Sequence, residues 1–327
     1  MRRVLAVSVL LVFLLPTFGR ASEARFEETK TFKFRPGGKL TIRALDGSIS
    51  VRTWGRREVR IHYKKTAWGH SRRRAEERLD DLDVRFHEYG DELEIVVDDW
   101  RSGRELSFWD LFNPETWRGS NGGAQVKFEI TVPEETDLDI SADDSDVDVR
   151  RLDGEVDIRV DDGDVELQDV GGPEIRIETD AGDVDLYKVD VSDGLVEIST
   201  DEGEVQIENA RIAELEAETD EGDVAVLKSE VERLSVRTDE GQVELDVEPV
   251  GRARYRVVTE QGDVILSLPE DGDYDFDLET DTGRIHSEFD VEIEETDRGE
   301  RVSATVGRGK HRISVYSDDG DIFLERR

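Results

Sequence analysis

The chain has 327 residues, 81 acidic and 44 basic, for a formal net charge of −37, and it contains no cysteine. Such an acid excess argues against a nucleic-acid partner, because phosphate binding needs clustered Lys and Arg. The missing cysteine removes disulfides, thiolate metal sites and cysteine nucleophiles together.

The first 21 residues read as a secretory signal peptide. Arg2 and Arg3 precede a run from Val4 to Leu15 that is apolar except for Ser8, and Pro16 and then Gly19-Arg20-Ala21 follow it. The competing reading is a retained anchor. As a helix that run would span about 18 Å against a hydrocarbon core of roughly 30 Å. The mature protein is therefore expected to be exported, periplasmic or extracellular, without an integral membrane span.

Residues 22–133 carry 20 acids and 21 bases, whereas 134–327 carry 61 acids and 20 bases. This shift places a domain boundary at Pro133. The first region is expected to be rich in strands: Phe32-Lys33-Phe34, Leu40-Thr41-Ile42, Ile49-Ser50-Val51, Val59-Arg60-Ile61 and Leu93 to Val97 alternate or run apolar. Asp46-Gly47 marks a turn. Ser71 is placed to cap one short helix over Arg72–Asp83, with Ala75, Leu79 and Leu82 at helical spacing. An insertion at 99–123 gathers Trp100, Phe108, Trp109, Phe112 and Trp117 between glycine-containing flanks. These aromatics either cover an exposed coil end or form a loop that docks a partner, a glycan or a membrane surface.

Residues 134–327 repeat. IRIETDAGDVDL, VEISTDEGEVQI, LEAETDEGDVAV and LSVRTDEGQVEL align without gaps. Their corner glycines are Gly182, Gly203, Gly222 and Gly241, with Gly163, Gly262, Gly283 and Gly320 in further copies and Ser145 in a degenerate first one. Each copy alternates with period two around a glycine corner, and a looser corner follows about ten residues later. One such coil cannot bury its apolar face alone, but stacked coils bury a continuous column. The predicted fold is all-β: a β-solenoid (β-helix) of about nine coils of 19–21 residues, after a small β-rich region with one short helix. An antiparallel meander with TDEG hairpin turns is the alternative. The solenoid is preferred because Thr179, Thr200, Thr219, Thr238, Thr259 and Thr280 all fall on the inward phase before the corner. Stacking would line up their hydroxyls beside one another and the corner backbone.

Stacking would also set Asp161, Asp180, Asp201, Asp220 and Asp239, then Glu260, in a file at coil spacing. Carboxylates at that distance repel by about 1 kcal/mol per neighbour in water. Salt, raised pKa values or bound cations must offset this. The five aspartates are thus candidate ligands of a Ca²⁺ ladder, although neither the calcium-binding nonapeptide pattern nor an EF-hand loop is present.

The lead-in VRTWGRREVRIHYKK, the strand VKFEITVPEETDLDIS and the repeated V-x-x-x-D-x-G-x-V-x-L units resemble a bacterial adhesin-like family of unknown function. The likeness covers Ala44–Arg327 apart from 99–123. It implies a β-helical fold at the cell envelope and transfers no catalytic residues. His62, His70, His87, His286 and His311 lie far apart in sequence, and no nucleophile elbow or P-loop occurs. The expected function is a non-catalytic exported module that binds an envelope or extracellular protein or glycan, or serves as a scaffold, with no cofactor other than Ca²⁺. An extracellular polysaccharide-acting enzyme is the alternative. One compact outward cluster of Arg, Tyr and carboxylates, unlike its equivalents in other coils, would weaken the non-catalytic reading.

Overall fold

The computed structural model describes residues 22–99 and 123–327. The expected signal peptide at 1–21 and the insertion aromatics Trp100, Phe108, Trp109, Phe112 and Trp117 lie outside the described residues. The chain divides into two compact units that meet between Val147 and Asp148.

The first unit contains β1 (Ser22–Lys33), β2 (Gly38–Arg43), β3 (Gly47–Trp54), β4 (Glu58–Gly69), α1 (Arg72–Asp81), β5 (Leu82–Tyr89), β6 (Glu92–Asp99), β7 (Ala124–Pro133) and most of β8 (Thr136–Arg150). One ladder runs β1-β4-β7-β3, antiparallel except for the parallel β7–β3 pair. The other runs β5-β6-β2-β8, parallel except at the β5 edge. Alternation buries Ile61, Phe128, Ile130 and Val51 from the first ladder, and Leu93, Ile95, Leu40, Ile42, Leu138 and Ile140 from the second. The helix starts as the capping signal predicts: the Arg74 backbone N–H donates to Ser71 Oγ at 3.3 Å. It ends at Asp81, two residues short of the expected Asp83. Leu82 turns extended (φ −84°, ψ 110°) and is buried as the first residue of β5.

The repeat begins earlier than its sequence spacing suggests. β2 and β3 join through the Asp46-Gly47 corner, and Leu40 and Ile42 stand in register with Leu138 and Ile140 of β8. Gly47 has φ 154°, like the solenoid glycines, and a Cβ there would collide with the Val126 carbonyl oxygen. Ser145, which replaces a corner glycine, donates its hydroxyl to the Leu45 carbonyl at 2.8 Å. LTIRALDGSISV is therefore another strand–corner–strand copy.

The second unit is the solenoid. Its strands are β9 (Val156–Asp162), β10 (Val165–Gln168), β11 (Glu174–Ala181), β12 (Val184–Tyr187), β13 (Asp190–Glu202), β14 (Val205–Glu208), β15 (Arg211–Glu221), β16 (Val224–Glu240), β17 (Val243–Gln261), β18 (Val264–Leu268), β19 (Tyr274–Thr280), β20 (Ile285–Ser287), β21 (Glu294–Glu295), β22 (Glu300–Val306), β23 (His311–Asp319) and β24 (Ile322–Arg326). Equivalent strands pair in parallel, which excludes the meander. Val165, Val184, Val205, Val224, Val243, Val264 and Ile322 form one unbroken interior file, and each is at most 1% exposed. Burying each such side chain contributes roughly 1.5–3 kcal/mol. A short third side pairs Asp190-Val191, Arg211-Ile212, Glu230-Val231 and Glu248-Pro249. The looser corner is turned by residues other than glycine in the left-handed region, among them Asp169, Lys188, Asn209 and Lys228 at φ 50–58°.

The threonines are buried and in register. Thr219, Thr238 and Thr280 donate to the carbonyls of Gly203, Gly222 and Gly320 at 3.4, 3.3 and 2.9 Å.

The coils do not stack in sequence order. The long strand of β17 pairs with β23, and β23 then pairs with β19 on its other side. On the neighbouring ladder, β24 likewise lies between β18 and β20. The C-terminal coil is thus intercalated between the Gly262 and Gly283 coils, and Ser317 takes the threonine position between Thr259 and Thr280. Beyond β19 the chain returns antiparallel as β22 and covers that edge. Tyr274, Phe276, Phe289 and His311 pack there with ring centroids 5.3–6.0 Å apart.

Candidate functional site

The acidic corners have a structural use that the sequence reading missed. The aspartate directly after the glycine reaches along the stack and accepts a backbone N–H from the next coil. Asp164 accepts from Asp183 at 3.0 Å, Asp183 from Glu204 at 2.9 Å, Asp223 from Gln242 at 2.7 Å, Asp263 from Asp321 at 2.8 Å and Asp321 from Arg284 at 2.8 Å. A charged acceptor makes these bonds stronger than neutral ones. Glu204 and Gln242 occupy the same position with one more methylene and make no such bond.

The other file, Asp161, Asp180, Asp201, Asp220 and Asp239, follows directly on residues paired from coil to coil. Its members come one per coil. Among the described residues, no group of three or more His, Asp or Glu side chains converges as a metal cage. Partial burial, then the charges of Asp201, Glu178 and Asp162, push the Asp180 carboxyl above the usual carboxylate range. Arginines relieve part of this charge: Arg237 lies 3.3 Å from Asp239, 3.5 Å from Glu218 and 3.8 Å from Glu260.

The outward face of the long-strand ladder changes character along the stack. On β15 it presents Glu214, Glu216 and Glu218, and the register sets Arg233, Ser235 and Arg237 of β16 beside them. Next come Arg254, Arg256 and Val258 of β17, then Arg312, Ser314 and Tyr316 of β23, then Asp275, Asp277 and Glu279 of β19. Arg233 is bonded to Glu214 at 2.7 Å. Asp277 and Glu279 are bonded to Arg301 at 3.0 and 3.8 Å, and Asp275 accepts from Thr305 Oγ1 at 3.3 Å. Arg254, Arg256 and Arg312 are exposed and have no ion pair among the described residues. Arg252, two residues before Arg254 on β17, and Lys310, just ahead of β23, are exposed as well. At the far end of this basic strip stands Tyr316, 37% exposed. Burial, then Asp281, Asp318, Glu279 and Glu260, push its hydroxyl pKa up.

Intercalation creates this strip. In a stack following sequence order, β19 would lie against β17, with Arg254 opposite Asp275 and Arg256 opposite Asp277, and both arginines would be neutralised. Insertion of β23 holds Arg254 and Arg256 apart from that row; Arg312 takes the place beside Asp275, whose carboxylate is bonded to Thr305 instead.

The histidines do not assemble. His62 Nδ1 lies 3.0 Å from Thr29 Oγ1, His87 stacks on Tyr89, and His286 stacks on Phe323 at 5.0 Å. His311 Nδ1 accepts the Ala253 N–H at 3.2 Å. Desolvation, then the charge of Lys310, lower its pKa. Among the described residues no helix is long and apolar enough to cross a membrane.

No curated protein matches the chain. Among solved structures it is similar to a candidate cell adhesion protein from Clostridium sporogenes (10% identity, 92% of this chain and 100% of that one, TM-score 0.21). It is also similar to a candidate adhesin from Bacteroides fragilis (14%, 92% and 97%, TM-score 0.40). A third similar structure is a candidate lipid binding protein from Parabacteroides distasonis (13%, 91% and 97%, TM-score 0.41). The Toastrack DUF4097 family model matches residues 38–325, starting at the first residue of β2, where the structure places the first coil. The chain belongs to the Toastrack DUF4097 family.

Proposed function

We propose that the protein is an exported, non-catalytic binding module of the cell envelope, and that its binding surface is the arginine strip on β17 and β23. One observation carries this reading: in a chain of net charge −37, three neighbouring arginines on a sheet face have no ion pair among the described residues. Surrounding carboxylates would neutralise them at little cost, so an exposed unpaired cluster is suited to an anionic group from outside. The signal-peptide pattern of residues 1–21 supports export.

A polysaccharide-acting enzyme is the second reading, because Arg, Tyr and carboxylates do gather here and in no equivalent set on β9, β11, β13 or β15. Against it, Asp277 and Glu279, the carboxylates in register beside Ser314 and Tyr316, are engaged by Arg301.

Cell fractionation tests the proposal. The mature chain is expected to begin at Ser22, to sediment with the envelope, and to be released by the Arg254→Glu/Arg256→Glu/Arg312→Glu triple variant without loss of fold. Cytoplasmic retention, or release of reducing ends from a panel of acidic and neutral glycans, would overturn it.

A further inference from the structure

We infer that the strip binds a linear polysaccharide carrying carboxylates, a polyuronate, laid along β17 and β23; this rests on reading the strip as the binding surface. Direction comes from the flanking charges. Acidic rows lie on both sides along the stack: Asp275, Asp277 and Glu279 of β19 directly beside β23, and Glu214, Glu216 and Glu218 of β15 beyond the Arg233, Ser235 and Arg237 row of β16. A polyanion running along the stack would meet these rows. A short one running parallel to the strands meets the arginines and then Val258 and Tyr316, and must end before Glu260 and Asp318, two residues further along each strand.

Spacing argues the ligand class. Arg254 and Arg312 are register partners on adjacent strands, about 4.8 Å apart in the pairing direction, while Arg254 and Arg256 are two residues apart on one strand, about 6.6 Å. Along the ligand, Arg254 and Arg256 would serve carboxylates on successive units, and Arg312 would flank Arg254 from the adjacent strand; each guanidinium fork suits a planar carboxylate. Beyond the arginines, the register pair Val258 and Tyr316 offers an apolar shelf with an exposed ring, suited to the face of a neutral sugar ring. Alternating charge and apolar face is the chemistry of a sugar acid. A dense phosphate or sulfate polymer has no use for the shelf and, with more charge per length, is repelled more strongly by the acidic remainder of the unit.

Calorimetric titration of the mature protein with polygalacturonate oligomers at low salt tests this, with the methyl-esterified oligomers and dextran sulfate as comparison probes. The expected result is binding to the free acid and none to the ester. Arg254→Gln/Arg256→Gln and Arg312→Gln should each weaken binding about tenfold or more. Arg256→Lys, which keeps the charge and loses the fork, should fall between. Tyr316→Ala should weaken polygalacturonate binding about fivefold and leave dextran sulfate unchanged. These side chains are exposed, and unchanged circular dichroism verifies the fold of each variant.

Absence of binding, equal binding of the ester, or binding indifferent to the arginine variants overturns the inference. So does concentration-dependent self-association in sedimentation that the same substitutions abolish, because the strip would then dock the acidic face of a second copy. Envelope retention separates the two claims. Retention lost in the triple variant without polygalacturonate binding removes the ligand class and leaves the surface. Retention unchanged removes both.

Discussion

At single residues, the solenoid turns an electrostatic liability into a fastener. Asp183 sits in a corner crowded with carboxylates, yet its oxygen holds the Glu204 N–H in the next coil at 2.9 Å. Acceptor and charge make opposite contributions, and substitution separates them. Asp183→Ala loses the acceptor at an exposed corner, so it should lower stability by about 0.5–1.5 kcal/mol, read as a drop in melting temperature. Asp183→Asn keeps an oxygen in place, sheds the repulsion, and should melt at or above the wild type. If both variants melt alike, the hydrogen bond is not what holds the coils. Glu204 shows why side-chain length matters: the same position with one more methylene makes no bond to Asp223. In the sequence, G-D and G-E look like equivalent acidic corners, so the fastener was not legible there.

At the level of strands and files, the repeat was legible because one side-chain period and one close backbone approach recur in every coil. A Cβ on Gly182 would collide with the Gly163 carbonyl, and each stacked glycine meets the one before it in the same way. The inward threonines follow from the alternation. Two features escaped. β2 and β3 form a coil, but Asp46-Gly47 stands alone, separated from the other corners by the hairpins and helix of the first unit. The arginine strip joins Arg254 and Arg256 to Arg312 from far along the chain, and nothing local to either segment announces the pairing.

The aspartate file belongs to the same scale. Asp180 has a raised pKa in the folded state, so protonation favours folding. Its stabilising contribution is complete below the ordinary carboxylate pKa near 3.9 and is lost as pH rises through the raised value. At neutral pH the charge therefore costs stability. Asp180→Asn should raise the melting temperature at pH 7 and low salt, by less than the roughly 2–4 °C that 1 kcal/mol gives a unit of this size. The gain should shrink with added salt and vanish in acid. A Ca²⁺ ladder predicts the opposite: the variant would melt lower with calcium present, and a chelator would lower the wild type to match.

For the molecule as a whole, the intercalated coil makes the last residues of the chain an interior part. In a sequentially stacked solenoid, removing the C-terminal coil breaks one interface and leaves the rest standing. Here β23 and β24 each have a parallel neighbour on both sides, so removing them breaks two interfaces and detaches β19, β20 and β22 from β17 and β18. The detached segment cannot simply close the gap. Phe276 would face Tyr255 where it now faces Ile313, and Tyr274 would face Ala253 where it now faces His311; setting Phe276 on Tyr255 adds ring volume to a filled layer, and overpacking of that kind costs typically 1–3 kcal/mol. Charge pulls the other way, since Arg254 and Arg256 would meet Asp275 and Asp277. Packing outweighs charge here, because exposed ion pairs contribute about 0–1 kcal/mol each. A chain ending at Val306 should therefore lose amide-exchange protection throughout 274–280 and 300–306, while 156–248 stays protected. Protection retained at 274–280 would mean that β19 had docked directly on β17. The arginines would then be neutralised, and the intercalated coil would be dispensable for folding while remaining essential to the binding strip.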